Sequence, residues 1–133
     1  METLSIDIET YSETPIKSAG TYRYAEDPAF TILLFAYSIE DEPVKVIDLN
    51  IENLPDEITQ ALTDPAVKKI AYNAAFERVC ISRYLGKYLP PEEWYCTMIH
   101  AAYVGLPFGL DAVAKALGMA QGNVSTAINT LIA

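Results

Sequence analysis

The sequence predicts an α/β fold, in which helices flank a mixed five-stranded sheet with an antiparallel meander first and parallel strands after it. Strand-like apolar segments joined by short polar connections occupy the first part of the chain, and helix-like and strand-like segments then alternate. Short turns are typical of antiparallel pairing, whereas an intervening helix is typical of parallel pairing. The expected order of elements is therefore β-β-β-α-β-α-β-α.

The first strand carries two acidic side chains on one face. Residues 4–10 read Leu-Ser-Ile-Asp-Ile-Glu-Thr, so Asp7 and Glu9 project together while Ile6 and Ile8 point the other way. Two carboxylates ~6 Å apart repel by about 3 kcal/mol at an effective dielectric constant of ~20. A cation between them would relieve this repulsion, and oxygen ligands favour Mg²⁺ or Mn²⁺ over zinc. The alternative is a solvated edge strand with two acids.

The following elements are recognised by apolar runs and by residues that end helices. Residues 10–28 form a polar connection, residues 30–37 predict a buried central strand, and residues 44–49 a third strand after a turn. Pro55 and the acids after it open a helix that ends near residue 64. A short strand at residues 69–72 precedes a helix from about residue 74 to 85, which Gly86 stops.

The remainder of the chain predicts one more strand and further helices. Residues 93–96 form a short strand, Thr97 caps a helix through about residue 104, and a further helix spans about residues 110–117 before Gly118. Residues 1–118 therefore form one domain, and residues 119–133 are helix or tail.

Composition excludes several classes of protein. Apolar residues make up 51% and charged residues 20%, as in globular proteins. No apolar run approaches the ~18 residues of a membrane span, and no signal peptide is expected. Cys80 and Cys96 lack metal-ligand spacing, which predicts reduced core thiols in a cytoplasmic protein. The net charge of −9 argues against a simple electrostatic nucleic-acid binder but not against a metal-dependent enzyme.

A second acidic position lies where the fourth predicted strand meets its helix. Asn73 stands at the junction, where its side chain can accept a hydrogen bond from a first-turn N–H, and Glu77 lies about one turn into the helix. Helical side chains lean towards the amino terminus, so Glu77 points at the end of the sheet and Phe76 into the core. If this strand is parallel to the first, Glu77 approaches Asp7 and Glu9. The alternative is a capping Asn and a favourably placed Glu on a surface helix.

The Asp-x-Glu-Thr strand, the meander and the Asn-x-x-Phe-acid motif together resemble the DEDD (DnaQ-like) 3′–5′ exonucleases, whose fold is ribonuclease H-like. The run Tyr-Arg-Tyr-Ala-Glu-Asp-Pro at residues 22–28 is similar to runs in the amino-terminal proofreading domain of phage and prophage family A DNA polymerases. The resemblance covers about residues 4–118. It implies a protein of a bacterial or phage-infected cell that acts on the 3′ ends of single-stranded DNA.

The resemblance also implies roles for individual acids. Asp7 matches the carboxylate that bridges two divalent ions, Mg²⁺ or Mn²⁺. Glu9 matches the carboxylate that binds the first ion and orients the attacking water. Glu77 falls at the third acidic position, which is usually Asp in the family. These three residues are the implied catalytic and metal-binding set.

Substrate-binding positions follow from the same resemblance. Thr10 is expected to shape the pocket for the terminal nucleotide, and Asn73 and Phe76 match scaffold positions of the second motif. Tyr11, Tyr22 or Tyr24 can stack on a base. By contrast, Lys68, Lys69 and Arg78 are too few for a phosphate track.

The chain departs from the family at the fourth acid, which lies on a late helix beside a Tyr or His general base. His100 and Tyr103 come too early, and Asp111 is interpreted as a helix cap. We therefore expect a truncated exonuclease domain with weak metal binding and impaired activity. A polymerase domain, the missing carboxyl-terminal segment or a second copy of the chain would be its partner. The alternative is a catalytically silent interaction module that docks on a polymerase.

Overall fold

The computed structural model describes residues 1–99, which form a five-stranded sheet in the order β3-β2-β1-β4-β5 with helices packed against it. A single-turn 3₁₀ helix at Pro91–Glu93 precedes the last strand. The remaining elements, in chain order, are β1 (Thr3–Tyr11), α1 (Ile16–Ala19), α2 (Thr21–Glu26), β2 (Thr31–Ile39), β3 (Lys45–Asp48), α3 (Asp56–Thr63), β4 (Lys68–Ala71), α4 (Ala74–Leu85) and β5 (Trp94–Cys96).

Strand β1 forms the centre of the sheet and connects its antiparallel and parallel halves. It pairs antiparallel with β2, which pairs antiparallel with β3. On its other side it pairs parallel with β4, where Ser5 lies opposite Ile70, and β4 pairs parallel with β5. The predicted mixed sheet, with a meander followed by parallel strands, is confirmed. The apolar run of β2 is an interior strand next to the centre.

Within residues 1–99, the core is one cluster of apolar side chains between the sheet and the helices. The alternating residues Leu4, Ile6 and Ile8 of β1 contribute one row to it. Phe35 of β2 and Ile81 of α4 are fully buried. Burial of such side chains stabilises the fold by about 1.5–3 kcal/mol each. This packing fixes α4, and with it the second acidic motif, against the sheet.

Residues 16–26 differ from the polar connection that the sequence predicts, because they form the two short helices α1 and α2. Each is too short for a helical repeat of apolar residues to show in the sequence. Gly20 separates them with φ 86° and ψ 170°. Ala25 is the buried residue of α2, which packs against α4.

Thr97 is the first of the helical residues 97–99, which follow β5 directly. Its hydroxyl group donates a hydrogen bond to the carbonyl oxygen of Ala71 at 3.3 Å. The carbonyl oxygen of Tyr72 accepts hydrogen bonds from the Met98 amide at 2.9 Å and from the Cys96 thiol at 3.3 Å. The end of β5 is therefore tied to the end of β4. The helices predicted after residue 99, the tail, and His100, Tyr103 and Asp111 lie outside the described residues.

A buried lysine joins the start of β4 to the turn before β5. Lys69 is fully buried, and its Nζ donates a hydrogen bond to the carbonyl oxygen of Asp64 at 2.7 Å. The same Nζ lies 3.6 Å from Oε2 of Glu93. Burial lowers the pKa of Lys69, and the carboxylate of Glu93 opposes that change. Lys69 is thus a structural cation, which agrees with its exclusion from a phosphate track.

Both cysteines are free thiols, Cys80 buried and Cys96 half-buried, as the sequence predicts. Within residues 1–99, no helix has the length and apolar character needed to cross a bilayer.

Gly20 and Gly86 adopt backbone conformations that other residues adopt at different energetic costs. The structure therefore predicts which of the two Gly→Ala substitutions lowers the stability of the fold more. Gly86 ends α4 in the left-handed region at φ 67° and ψ 26°, and Gly20 lies in a region that is essentially restricted to glycine. A Cβ at either position would meet no atom within 4 Å. We therefore expect Gly86→Ala to cost about 1 kcal/mol and Gly20→Ala about 1–3 kcal/mol.

Urea denaturation of the two variants measures this difference. A smaller loss for Gly20→Ala than for Gly86→Ala would contradict the prediction. Both Gly→Ala changes remove the same backbone entropy from the unfolded chain, so this term cancels when the two variants are compared.

Candidate active site

The candidate site lies at the carboxyl end of β4, beside the middle of the parallel strand β1. Sheets of α/β proteins commonly bind ligands at the carboxyl ends of their strands. The last pair of residues between β1 and β4 is Ser5 and Ile70, so Asp7 lies just beyond the paired segment. Helix α4 begins at Ala74, three residues after β4 ends. This short connection brings the first turn of α4, which carries Glu77, to the same edge as Asp7 and Glu9.

Asp7 is the member of the acidic set that interacts with both others. Its carboxyl group is half-buried, and burial raises its pKa. The charge of Glu9 raises that pKa further, while a hydrogen bond from the Ile8 amide lowers it. The charge of Asp7 in turn acts on Glu77. The structure therefore brings the early acids and the later acid into one electrostatic cluster.

Glu77 is the buried carboxyl group of the acidic cluster. Its side chain is 5% exposed, and within residues 1–99 its Oε2 is buried and accepts no hydrogen bond. Burial raises the pKa of Glu77 to about 8; its backbone amide opposes this increase, and the charge of Asp7 adds to it. A buried ionised carboxylate is costly unless a proton or a cation neutralises it. Glu77 is thus suited to bind one or the other.

The acidic cluster has the donor atoms that a divalent cation prefers, but its side chains are too far apart to share one ion. Its donors are carboxylate oxygens alone, which suit Mg²⁺ or Mn²⁺. Within residues 1–99, no three His, Cys, Asp or Glu side chains lie close enough together to hold one ion. Glu9 is exposed, whereas Asp7 is half-buried and Glu77 buried. Side-chain rotation, with Asp7 as the central ligand, would be needed to form a shared site.

Tyr24 contacts residues of both acidic motifs. The sequence suggests it only as a residue that can stack on a base. Its hydroxyl group forms a 2.8 Å hydrogen bond with Oγ1 of Thr10. Its ring centroid lies 6.0 Å from that of Phe76 and 5.9 Å from that of Phe30, the latter edge-on. The Ser12 hydroxyl donates to the Tyr24 carbonyl at 2.8 Å. Tyr24 is therefore engaged in packing, and no sequence pattern indicated its contact with Thr10.

Asn73 occupies the cap position of α4 but does not cap it with its side chain, contrary to the sequence prediction. The side chain is exposed and makes no hydrogen bond to the helix. Instead, the backbone carbonyl of Asn73 accepts hydrogen bonds from the amides of Phe76 at 3.0 Å and Glu77 at 3.3 Å. Phe76 packs against the core, as the sequence predicts. The Asn73 amide thus remains available at the surface.

The raised pKa of Glu77 predicts a pH-dependent stability of the metal-free protein. Because folding raises this pKa from 4.5 to about 8, the contribution of Glu77 is fully present below pH 4.5 and is lost as the pH rises through 8. We expect Glu77→Gln to be more stable than the wild type at pH 8 by a few kcal/mol, with the difference shrinking towards pH 5.

Urea denaturation in EDTA between pH 5 and pH 8.5 measures this difference. Asp7→Asn should keep most of the pH dependence that Glu77 causes, because burial is the larger cause of its pKa shift. Parallel stability profiles for Glu77→Gln and the wild type would contradict the prediction.

The hydrogen bond between Tyr24 and Thr10 predicts coupled effects of substitution. Tyr24→Phe keeps the ring contacts but removes the hydroxyl group, and Thr10→Val removes its partner. In a double-mutant cycle of unfolding free energies, we expect a coupling of about 0.5–1.5 kcal/mol. Tyr22→Phe, on the exposed side of the same helix, is the matched control. Strictly additive effects would show that this hydrogen bond contributes nothing.

Comparison with known proteins finds similarity in sequence and in fold. No protein-family model matches the chain. The chain is 54% identical over 118 residues to a DNA polymerase of Bacillus phage SP02. This match covers 88% of the chain but only 18% of the polymerase. The chain thus spans less than a fifth of the relative's length.

Solved structures with a similar fold include nucleases. Brucella melitensis NrnC has a TM-score of 0.62 at 19% identity, with 87% of this chain and 52% of NrnC covered. NrnC has been solved with bound Mg²⁺ and with pGG. Escherichia coli RNase D, an exoribonuclease involved in structured RNA processing, has a TM-score of 0.61 at 17% identity, with 89% and 28% of the two chains covered.

These matches confirm the resemblance inferred from the two acidic motifs. The chain has the ribonuclease H-like α/β fold of the DEDD (DnaQ-like) exonucleases and is related in sequence to a stretch of a bacteriophage DNA polymerase.

Proposed function

We propose that this chain carries the acidic cluster of a two-metal 3′–5′ exonuclease of the proofreading type, which hydrolyses phosphodiesters at the 3′ ends of single-stranded DNA. The supporting observation is that Asp7 interacts with both Glu9 and Glu77, whose buried Oε2 has no partner in residues 1–99. The polymerase relative favours DNA as substrate. The Mg²⁺-bound NrnC structure favours a divalent cofactor.

The three acids have distinct roles in this proposal. Asp7, Glu77 and Glu9 would together hold Mg²⁺ or Mn²⁺, with Asp7 half-buried, Glu77 buried and Glu9 exposed. When bound, the ions supply activation of water and neutralisation of charge on the leaving oxygen. Glu9 is exposed and can therefore also accept a hydrogen bond from the attacking water. The burial of Glu77 keeps bulk water from its side of the cluster.

Thr10, Asn73 and Phe76 contact or shape the site of the terminal nucleotide. Thr10 is held by Tyr24, which fixes its side chain beside the acidic strand. The exposed Asn73 amide can donate to a phosphate or a base edge, since it is not used as a helix cap. Phe76 is partly buried against the core and supports the position of Asn73 from below.

We expect the isolated chain to be a weak enzyme. Three carboxylates neutralise two divalent ions incompletely, and no Asp or Glu follows Asp111 in the sequence. A polymerase domain like that of the phage relative, a carboxyl-terminal segment with the fourth acid, or a second copy of the chain would complete the site. The interaction with a polymerase is favoured by the relative's length, of which this chain matches 18%.

A catalytically silent module is the second candidate function, and one observation favours it. No three acidic, histidine or cysteine side chains within residues 1–99 lie close enough together for one ion. In this case, the fold would serve only to dock a polymerase.

Thermal denaturation with Mn²⁺ distinguishes these two functions. If the acids bind Mn²⁺ with a Kd of about 1 mM, 10 mM Mn²⁺ stabilises the wild type by about 1.4 kcal/mol. Asp7→Asn should lose most of this effect. Asp41→Asn is the control and should keep this stabilisation, because Asp41 lies in the turn between β2 and β3, away from the acidic cluster. The amide of the neighbouring Glu40 donates a hydrogen bond to the carbonyl oxygen of Thr3, at the start of β1.

A nuclease assay then tests the reaction itself. With a 5′-labelled single-stranded DNA and Mn²⁺, the wild type should shorten the strand slowly from its 3′ end, and Asp7→Asn should not. Absence of both Mn²⁺ stabilisation and cleavage in the wild type would reject the exonuclease and favour the silent module.

A further inference from the structure

A second concave surface lies between α2 and α4, on the side of α4 away from Glu77. We call it the α2–α4 groove; its volume is about 180 Å³, and it is lined by Tyr22, Ala25, Glu26, Arg78, Val79, Ser82, Arg83 and Tyr88. A helix turns by about 100° per residue, so its α4 residues project from roughly the opposite face to Glu77. The groove is therefore separate from the acidic cluster.

Two exposed aromatic rings border the groove. Tyr22 is 63% exposed and Tyr88 is 75% exposed. Within residues 1–99, neither ring packs against another aromatic ring, in contrast to Tyr24. Exposed aromatic rings beside a cationic groove are the usual stacking platforms for the bases of single-stranded nucleic acids.

The groove also concentrates positive charge in an acidic protein. The chain has 9 basic and 18 acidic residues, yet Arg78 and Arg83 both line this one groove. Glu26 lines it as well, but within residues 1–99 it forms no ion pair with either arginine. Nη1 of Arg78 donates to the Leu89 carbonyl at 3.2 Å, which holds that guanidinium in place. Both arginines are thus available to an anionic ligand.

The groove is suited to a nucleic-acid strand. The two exposed tyrosines and the two arginines that border it match the bases and phosphates of a single strand. A flat base can lie against the apolar walls with its phosphate at an arginine. We propose that the α2–α4 groove binds single-stranded DNA, with Tyr22 and Tyr88 stacking on bases and Arg78 and Arg83 contacting phosphates. The choice of DNA rests on the proposed function, whereas binding itself needs neither metal nor hydrolysis.

Fluorescence anisotropy tests this proposal. A labelled oligothymidylate of about twelve nucleotides is titrated with the full chain in EDTA at low salt. Tyr22→Ala and Tyr88→Ala should each weaken binding by about five-fold or more, because each removes a stacking surface. Arg83→Ala should weaken it and lower the slope of log affinity against log salt by about 0.7, because one phosphate contact is lost. Tyr84→Ala and Arg23→Ala are matched changes outside the groove and should bind like the wild type.

Several outcomes separate this site from the acidic cluster. Because binding is measured in EDTA, without metal or hydrolysis, a failed nuclease assay leaves the groove proposal standing. Thermal denaturation verifies that each variant is folded. Lack of wild-type binding, equal binding by groove and control variants, or equal competition by polyglutamate would overturn the proposal.

Discussion

The parallel pairing of β1 with β4 is the constraint on which the candidate site depends. It aligns the end of β4 with the middle of β1, so that the first turn of α4 meets the strand that carries Asp7 and Glu9. Without this register, two motifs about 65 residues apart would remain two unremarkable acidic segments. The burial of Glu77 follows from the same geometry, since α4 packs closely on the sheet where β4 ends.

Much of this arrangement was predictable, because its signals are local and strong. Alternation in residues 4–10 placed both early acids on one strand face, and the bounds predicted for α4 agree with Ala74–Leu85 and its glycine stop. The meander and the two parallel strands followed from the change in spacing between apolar segments. The approach of Glu77 to Asp7 then required only that β4 be parallel to β1, which α/β connectivity favours.

The features that escaped prediction depend on long-range contacts or on competition between local ones. Helices α1 and α2 are too short to show a periodic pattern; α2 is stabilised by packing on α4, and α1 packs against α2. Tyr24 was predicted only as a base-stacking candidate, because nothing local indicates its contacts with Thr10 and Phe76. Asn73 was expected to cap α4 with its side chain, but that side chain makes no cap hydrogen bond to the helix. The groove joins side chains from two helices about 55 residues apart.

The hydrogen bonds to the carbonyl oxygen of Tyr72 restrict how the backbone at the site can move. It accepts hydrogen bonds from both the Cys96 thiol and the Met98 amide, and the adjacent Ala71 carbonyl accepts one from Thr97. The ends of β4 and β5 are thereby fastened to each other immediately before Asn73. These hydrogen bonds oppose separation of β4 from β5. Adjustment to a ligand at this edge must therefore come from rotation of side chains.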